Sequence, residues 1–236
     1  MSLKALVRYF FFLLSLVLLA AAGFSVWERA QHALAQDDAK RRLGGDVEII
    51  QGGEPIPMDA SAFLLFSSER ISRTVEIAAT ASYKNLNLLV GLKGIDAAYP
   101  LYGELLLSTD KKKIPVFFNS RAHNLHGAAI DRRTSKALGL NLGETFSIEG
   151  VDFMVRALIL DAPDEPVQSI ALLPRVIVNN SAFYATGLAS GESRAVFRCG
   201  ARLEEGVSLA DIRDGAMELF PAPSWRMRSW PALRKE

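Results

Sequence analysis

His123 and His126 stand with only Asn124 and Leu125 between them. On a helical turn that spacing puts two imidazoles on one face, where they can act as metal ligands. Zinc sites use about three or four protein ligands, and Gly127 and Asn119 nearby read as loop, so a surface position is the better expectation. His32 falls in a helical stretch and reads as a solvated helix residue. Cys199 is the single cysteine, which excludes an internal disulfide and a multi-cysteine metal cage. Among Val196, Phe197 and Ala201 it reads as a small buried hydrophobe in a strand, not as a nucleophile. The acid pairs Glu204 with Glu205 and Asp161 with Asp164 fall in loops, where solvated charge is the default. No Gly-x-Ser-x-Gly elbow, phosphate loop or dinucleotide glycine pattern occurs. The expectation is a chain with no catalytic residue, no metal and no cofactor, and no enzyme.

The elements that carry these residues begin with an apolar run, Tyr9 to Trp27, whose one ionisable side chain is the Tyr9 hydroxyl. A transmembrane helix needs roughly 20 apolar residues to cross about 30 Å of hydrocarbon. The run supplies them, with Lys4 and Arg8 before it and Glu28 and Arg29 after it. The rival reading is a cleaved secretory signal, with Lys4 and Arg8 as basic start, Phe10 to Leu19 as apolar middle and Ala20 to Ala22 as cleavage site. Against it, the run continues through Phe24, Val26 and Trp27, and Trp at the end of a span is an interfacial anchor. Both readings export the rest of the chain.

Glu28 to Leu43 has neither Gly nor Pro and sets Asp37 and Asp38 four residues before Arg41 and Arg42. It reads as a stalk continuing the membrane helix. One helix from Tyr9 to Arg42 would be about 50 Å long. Gly44 and Gly45 end it and are the candidate hinge. A plain helical linker is the alternative.

The remainder has the composition of an ordinary globular domain: the chain is 50% hydrophobic, with 17 Gly and 10 Pro. A formal charge of +1 from interspersed acids and bases gives no field that would recruit nucleic acid. Asp46 to Gln51 alternates as a strand, and a short helix is expected near Asp59 to Ser67. Ile71 to Tyr83 and Leu86 to Ile95 read as a hairpin turning at Lys84 and Asn85. Gly103 to Ser108 and Ile114 to Phe118 form a second hairpin around Lys111 to Lys113. Asp131 caps a helix through Leu138, closed by Gly139 and Leu140. Gly143 leads into the strand Glu144 to Ile148, and Glu149 and Gly150 turn into Val151 to Leu160. Asp161 to Pro166 is a polar loop, and Ile170 to Leu173 and Arg175 to Val178 flank Pro174. Ser181 caps a helix ending at Gly187, Ser193 to Leu203 is a strand, Ser208 to Leu219 an amphipathic helix, and Trp225 to Arg228 a last short strand.

In order along the chain, several segments resemble one family. They are the long helix ending at Gly44, Gly45 and Asp46; Ile95 to Gly103 with Asp96, Tyr99, Pro100, Leu101 and Gly103; Leu138, Gly139, Leu140, Leu142, Gly143 and Glu144; and Leu173 to Asn179 with Pro174 and Arg175. Together they resemble the exported core domain of MacB-like and FtsX-like ABC transporter permeases, most of all YbbP-type permeases. The resemblance implies an extracytoplasmic domain at the bacterial inner membrane, moved by ATP hydrolysis in a separate cytoplasmic ABC ATPase subunit. It also implies a dimer, membrane lipid around the anchor, and lipophilic or peptide cargo. Members of the family carry further membrane helices after the exported domain, whereas this sequence runs to Glu236. The expectation is a truncated form, a split subunit working with a missing permease half, or a stand-alone membrane-anchored binding or assembly module.

The fold class expected is α+β, a mixed-sheet domain with short helices on a single N-terminal transmembrane helix with stalk. The organisation is 1–8 cytoplasmic, 9–27 membrane helix, 28–45 stalk and cap, 46–228 core domain and 229–236 tail.

Overall fold

The computed structural model describes residues 23–25, 27–31, 33–109, 125–191, 193–220 and 225–229. The chain divides into two compact units, Met1–Ala39 and Lys40–Glu236. Described residues of the first unit are helical, and Phe24 and Trp27 expose their rings 5.9 Å apart. Among the described residues no helix is long and apolar enough to cross a membrane. Most of the apolar run from Tyr9, together with His32, His123, Lys111 to Lys113 and the tail after Ser229, lies outside the described residues.

The second unit is built on one long strand. Strand β1 (Val47–Gly52) is followed by helix α1 (Met58–Phe66), then β2 (Ser68–Tyr83) and β3 (Leu86–Ile95). The β2–β3 turn falls at Lys84, which takes a left-handed φ of 53°. Then come β4 (Leu106–Leu107), β5 (His126–Ile130), α2 (Arg132–Leu138), β6 (Thr145–Ile148) and β7 (Val151–Asp161). A 3-10 turn (Gln168–Ile170), β8 (Arg175–Asn179), α3 (Asn180–Ala185), β9 (Val196–Leu203), α4 (Leu209–Leu219) and β10 (Trp225–Ser229) complete it.

The length of β2 is explained by its two sets of partners. Its first half pairs antiparallel with β9, Ser68 to Glu76, and its second half pairs antiparallel with β3, Val75 to Tyr83. Beyond β3 the order continues through β8, β5 and β7, and β6 then pairs with both β7 and β2. The strands β2, β3, β8, β5, β7 and β6 therefore close on themselves as a barrel. Alternation fills it: Val75, Ile77 and Ala79 of β2 meet Leu92, Ile130, Ile148, Phe153, Val155 and Val178. Full burial of each such large side chain contributes about 1.5–3 kcal/mol.

A second layer grows from the other half of β2. Strands β9, β1 and β10 extend the sheet antiparallel, and α1 and α4 cover one face through Ala60, Leu64 and Ile212 over Val47, Ile49, Cys199 and Ala201. The expected mixed α+β architecture is present.

Local chemistry sets the turns. Asp131 accepts a hydrogen bond from the Thr134 backbone N–H, and Gly139 closes α2 at φ 69°. Glu149 and Gly150 both take positive φ, as a two-residue turn between β6 and β7 requires. The cap of α3 is Asn179 and not Ser181. Asn179 has the extended backbone a cap needs and accepts from Ala182 N–H, while Ser181 lies inside the helix and donates its hydroxyl to Asn179.

Candidate functional site

The polar site lies on the face of the sheet opposite the barrel interior and the layer under α1 and α4, beside a third apolar cluster that includes Ile95 and Ile177. Glu48 alternates with Val47 and Ile49, Glu76 with Val75 and Ile77, Lys93 follows Leu92, and Arg198 stands between Phe197 and Cys199. Strand pairing brings them together: Glu76 is opposite Lys93 across β2–β3, and Arg198 is opposite Ile50 on β1 and Thr74 on β2. All four are buried.

Lys93 Nζ donates to Glu76 Oε1 at 2.9 Å and to Asp164 Oδ2. Arg198 donates to Glu48 Oε1, to Glu76 Oε1 at 3.2 Å and to the Glu165 carbonyl at 2.8 Å. Glu76 Oε2 accepts from the Val167 backbone N–H at 2.8 Å. The Tyr99 hydroxyl donates to Asp164 Oδ1, and half-exposed Arg228 donates to Glu48 Oε2 at 2.8 Å. Counting Arg228, three carboxylates face three cations.

Burial pushes the carboxyls of Glu76 and Asp164 upward, but Lys93 and Arg198 more than offset it and hold both below their ordinary values. Burial lowers Arg198, yet Glu48 and Glu76 reverse the sign and raise it. Tyr99 is raised by burial and by Asp164, and keeps its proton. The site is thus a set of mutually paired ions, each carboxylate facing at least one cation.

A second cluster adjoins it. Asp46 pairs with Lys40 at 2.8 Å and accepts from the Tyr102 hydroxyl at 2.8 Å and the Leu203 backbone N–H at 2.9 Å. Lys40 and Arg202 both lie over the Tyr102 ring, each at 5.5 Å. Burial, then Asp46, raises the Tyr102 phenol. Arg41 reaches Asp161 at 3.9 Å and Arg42 reaches Glu165 at 3.4 Å, while Leu43 is buried. The last helical turn, residues 40–43, is thereby held to the domain by all three of its basic side chains. Between the clusters is a cavity of about 10 Å³, lined by Leu43, Glu48, Tyr99, Tyr102, Asp164 and Arg198 among others. That is room for roughly one water molecule.

The glycines after this turn differ. Gly44 takes φ +81°, and its N–H bonds back to the Lys40 carbonyl at 2.9 Å. Gly45 lies so close to β9 that an added Cβ would fall 2.9 Å from the backbone N and O of Ala201.

Several expected residues stand elsewhere. Cys199 is fully buried in β9, as its neighbours imply, and burial pushes its thiol to about 11. Glu204 and Glu205 are exposed. His126 corrects the surface reading: it opens β5, is buried, and its ring lies 5.8 Å from that of Phe153. Asp164 corrects the solvated-loop reading. Its loop folds over the sheet, and Lys93 and Tyr99 repay the loss of water. Asp161 of the same pair remains exposed. Sequence reasoning missed Glu48, Glu76, Lys93 and Arg198 altogether. The available signal was a single charge between apolar residues on strands whose other face is also apolar. Residues that carried the family resemblance prove structural: Asp96 staples its loop to β2 through Ser72 Oγ at 2.8 Å and Arg73 N–H at 2.7 Å.

No known family profile and no curated protein matches the chain. Solved structures do. The periplasmic region of MacB from Actinobacillus actinomycetemcomitans aligns at 12% identity with a TM-score of 0.55, covering 83% of this chain and 94% of that one. The extracellular domain of the noncanonic ABC-type transporter YknZ from Gram-positive bacteria aligns at 13% identity and 0.50, covering 78% and 100%. A domain assigned to a permease protein of Porphyromonas gingivalis aligns at 13% and 0.52, covering 79% and 91%. At these identities the shared property is the fold, which two of the three, the MacB and YknZ domains, use outside the cytoplasm.

Proposed function

We propose that this chain is the extracytoplasmic part of an ABC transporter permease subunit, held at the bacterial inner membrane by residues 9–27 and joined to it by a stalk over 28–45. The observation that supports this most, beyond the shared fold, is the seating of the last helical turn. Lys40, Arg41 and Arg42 each meet an acid of the domain, Asp46, Asp161 and Glu165, and Leu43 is buried beside them. A helix end fixed at this many points carries its domain along when it tilts.

In this reading ATP is hydrolysed in a separate cytoplasmic ATPase subunit, so the chain itself is no enzyme and needs no cofactor or nucleotide loop. It works as a dimer or with a permease half that supplies the remaining membrane helices, and its cargo is lipophilic or peptidic. At the candidate hinge of Gly44 and Gly45 both residues lie against β9, the Gly44 carbonyl beside Gly200 and Gly45 beside Ala201.

Affinity purification of the full chain from membranes of its native host tests the reading. An ABC ATPase should co-purify, and the recovered chain should retain residues before Gly23. A chain recovered from the soluble extracytoplasmic fraction with Gly23 at its N-terminus would overturn the anchor. A membrane-bound chain that brings down no ATPase would leave a binding or assembly module in its place.

A further inference from the structure

The loop over residues 161–167 bridges the helix end and the buried ion pairs. Asp161 and Glu165 meet Arg41 and Arg42, and the Glu165 N–H donates to the Arg42 carbonyl at 3.2 Å. The Glu165 carbonyl accepts from Arg198 at 2.8 Å, and the Val167 N–H donates to Glu76 at 2.8 Å. Pro163 packs against Gly103, where Arg41 also lies. The loop is a strap laid across the helix end and the buried charges beneath it.

Its contacts are unequal. The pairs at Arg41 and Arg42 are about half exposed on both sides, with side-chain exposures of 44–66%, and water competes for them. Asp164 is the opposite case. Its side chain is 5% exposed, and it is held by Lys93 at 3% and by Tyr99. We propose that Asp164 is the bolt of a conformational latch: seated between Lys93 and Tyr99 it holds the strap over residues 40–43, and withdrawn it frees strap and helix end together.

The alternative is that buried Leu43 and the Lys40–Asp46 pair hold the turn without the strap. The two make different predictions for backbone exchange. In the latch, the amides of Gly44, Gly45, Glu165 and Val167 open as one unit, since Gly44 and Gly45 donate to the Lys40 carbonyl and Glu165 to that of Arg42. The inference needs no transport partner, so it can fail while the permease reading stands, and the reverse.

Hydrogen–deuterium exchange on the full chain in detergent decides it, comparing wild type with Asp164→Asn. Exchange should accelerate at least about tenfold over residues 40–46 and 161–167, the factor that loss of one charge-assisted bond gives, with the β2–β3 hairpin unchanged. Acceleration confined to 161–167 would overturn the latch, because the helix end would then be held independently. An equal rise across the whole domain would also overturn it, as general destabilisation. Should Asp164→Asn fail to fold, Tyr99→Phe removes only the hydroxyl that reaches Asp164. The same two segments should then accelerate about threefold together, and unchanged exchange in residues 40–46 would overturn the proposal.

Discussion

Lys93 and Glu76 are register partners across β2 and β3, and the ammonium of one lies 2.9 Å from the carboxylate of the other with both side chains out of water. Such a pair contributes little net stability against a well-packed apolar substitute, because both ions lose their hydration. Its effect is on specificity. Slipping β2 by one residue would turn Glu76 into the barrel interior and Val75 out of it, so the pair fixes the alignment of the strand that both layers share.

Breaking one partner is costly. Glu76→Ala leaves Lys93 and Arg198 short of a shared acceptor and strips the Val167 N–H of its partner. Urea denaturation should show a loss of about 3–5 kcal/mol. Arg228→Gln, at the half-exposed rim, should lose under about 1 kcal/mol. Equal losses for the two would contradict the buried network.

Acid should weaken the domain through the same groups. The folded carboxyls of Glu76 and Asp164 titrate below their ordinary values, so the unfolded chain takes up protons first as pH falls. Their contribution is therefore complete above the ordinary carboxylate range, about pH 4, and is lost as pH drops toward and through the depressed folded values. Denaturation midpoints measured from pH 7 downward should stay level and then fall, and Glu76→Gln should flatten that fall. A midpoint that rises on acidification would refute the assignment.

Two glycines near one another in sequence should respond oppositely to alanine. Gly45→Ala drives a methyl into the β9 backbone and should cost at least about 2 kcal/mol. Gly52→Ala meets open space at an ordinary φ and should be neutral or stabilising by up to about 1 kcal/mol. Thermal melts of the two variants give the comparison, and tolerance at Gly45 would mean that the chain there is not packed against Ala201.

Cys199 should be silent toward thiol reagents while the domain is folded. Burial keeps the thiol protonated to about pH 11, and no path reaches it from solvent. At pH 8 a disulfide-exchange reagent should titrate no thiol in native protein and one thiol per chain in urea. Prompt native labelling would show that α1 opens away from β9.

What the sequence disclosed was local. Asp131 with Gly139, Glu149 with Gly150, and the turn at Lys84 are readable because each signal and its partner lie within a few residues. Asn179 was missed in favour of Ser181 because both residue types cap helices, and only backbone geometry distinguishes them. The polar site was hidden for a different reason. Glu48, Glu76, Lys93, Asp164 and Arg198 are spread over most of the chain and converge only through strand order, including the distant pairing of β9 with both β1 and β2. In alternation each of the four strand residues looks solvent-facing, and what hides them is the strap, Asp164 included, and the helix end laid over that face. His126 was misread likewise, since Gly127 suggests a loop until β7 and β8 pair on either side.

The seam where β6 joins β2 is short, only Ala81 with Ile148 and Ser82 with Ser147, yet it turns a ribbon into a hoop. A ribbon can be peeled from one end a strand at a time. A hoop cannot, since pulling any strand free means parting two seams at once. Closure therefore makes every strand of the ring hold two neighbours, and losing any one of them opens the whole circumference.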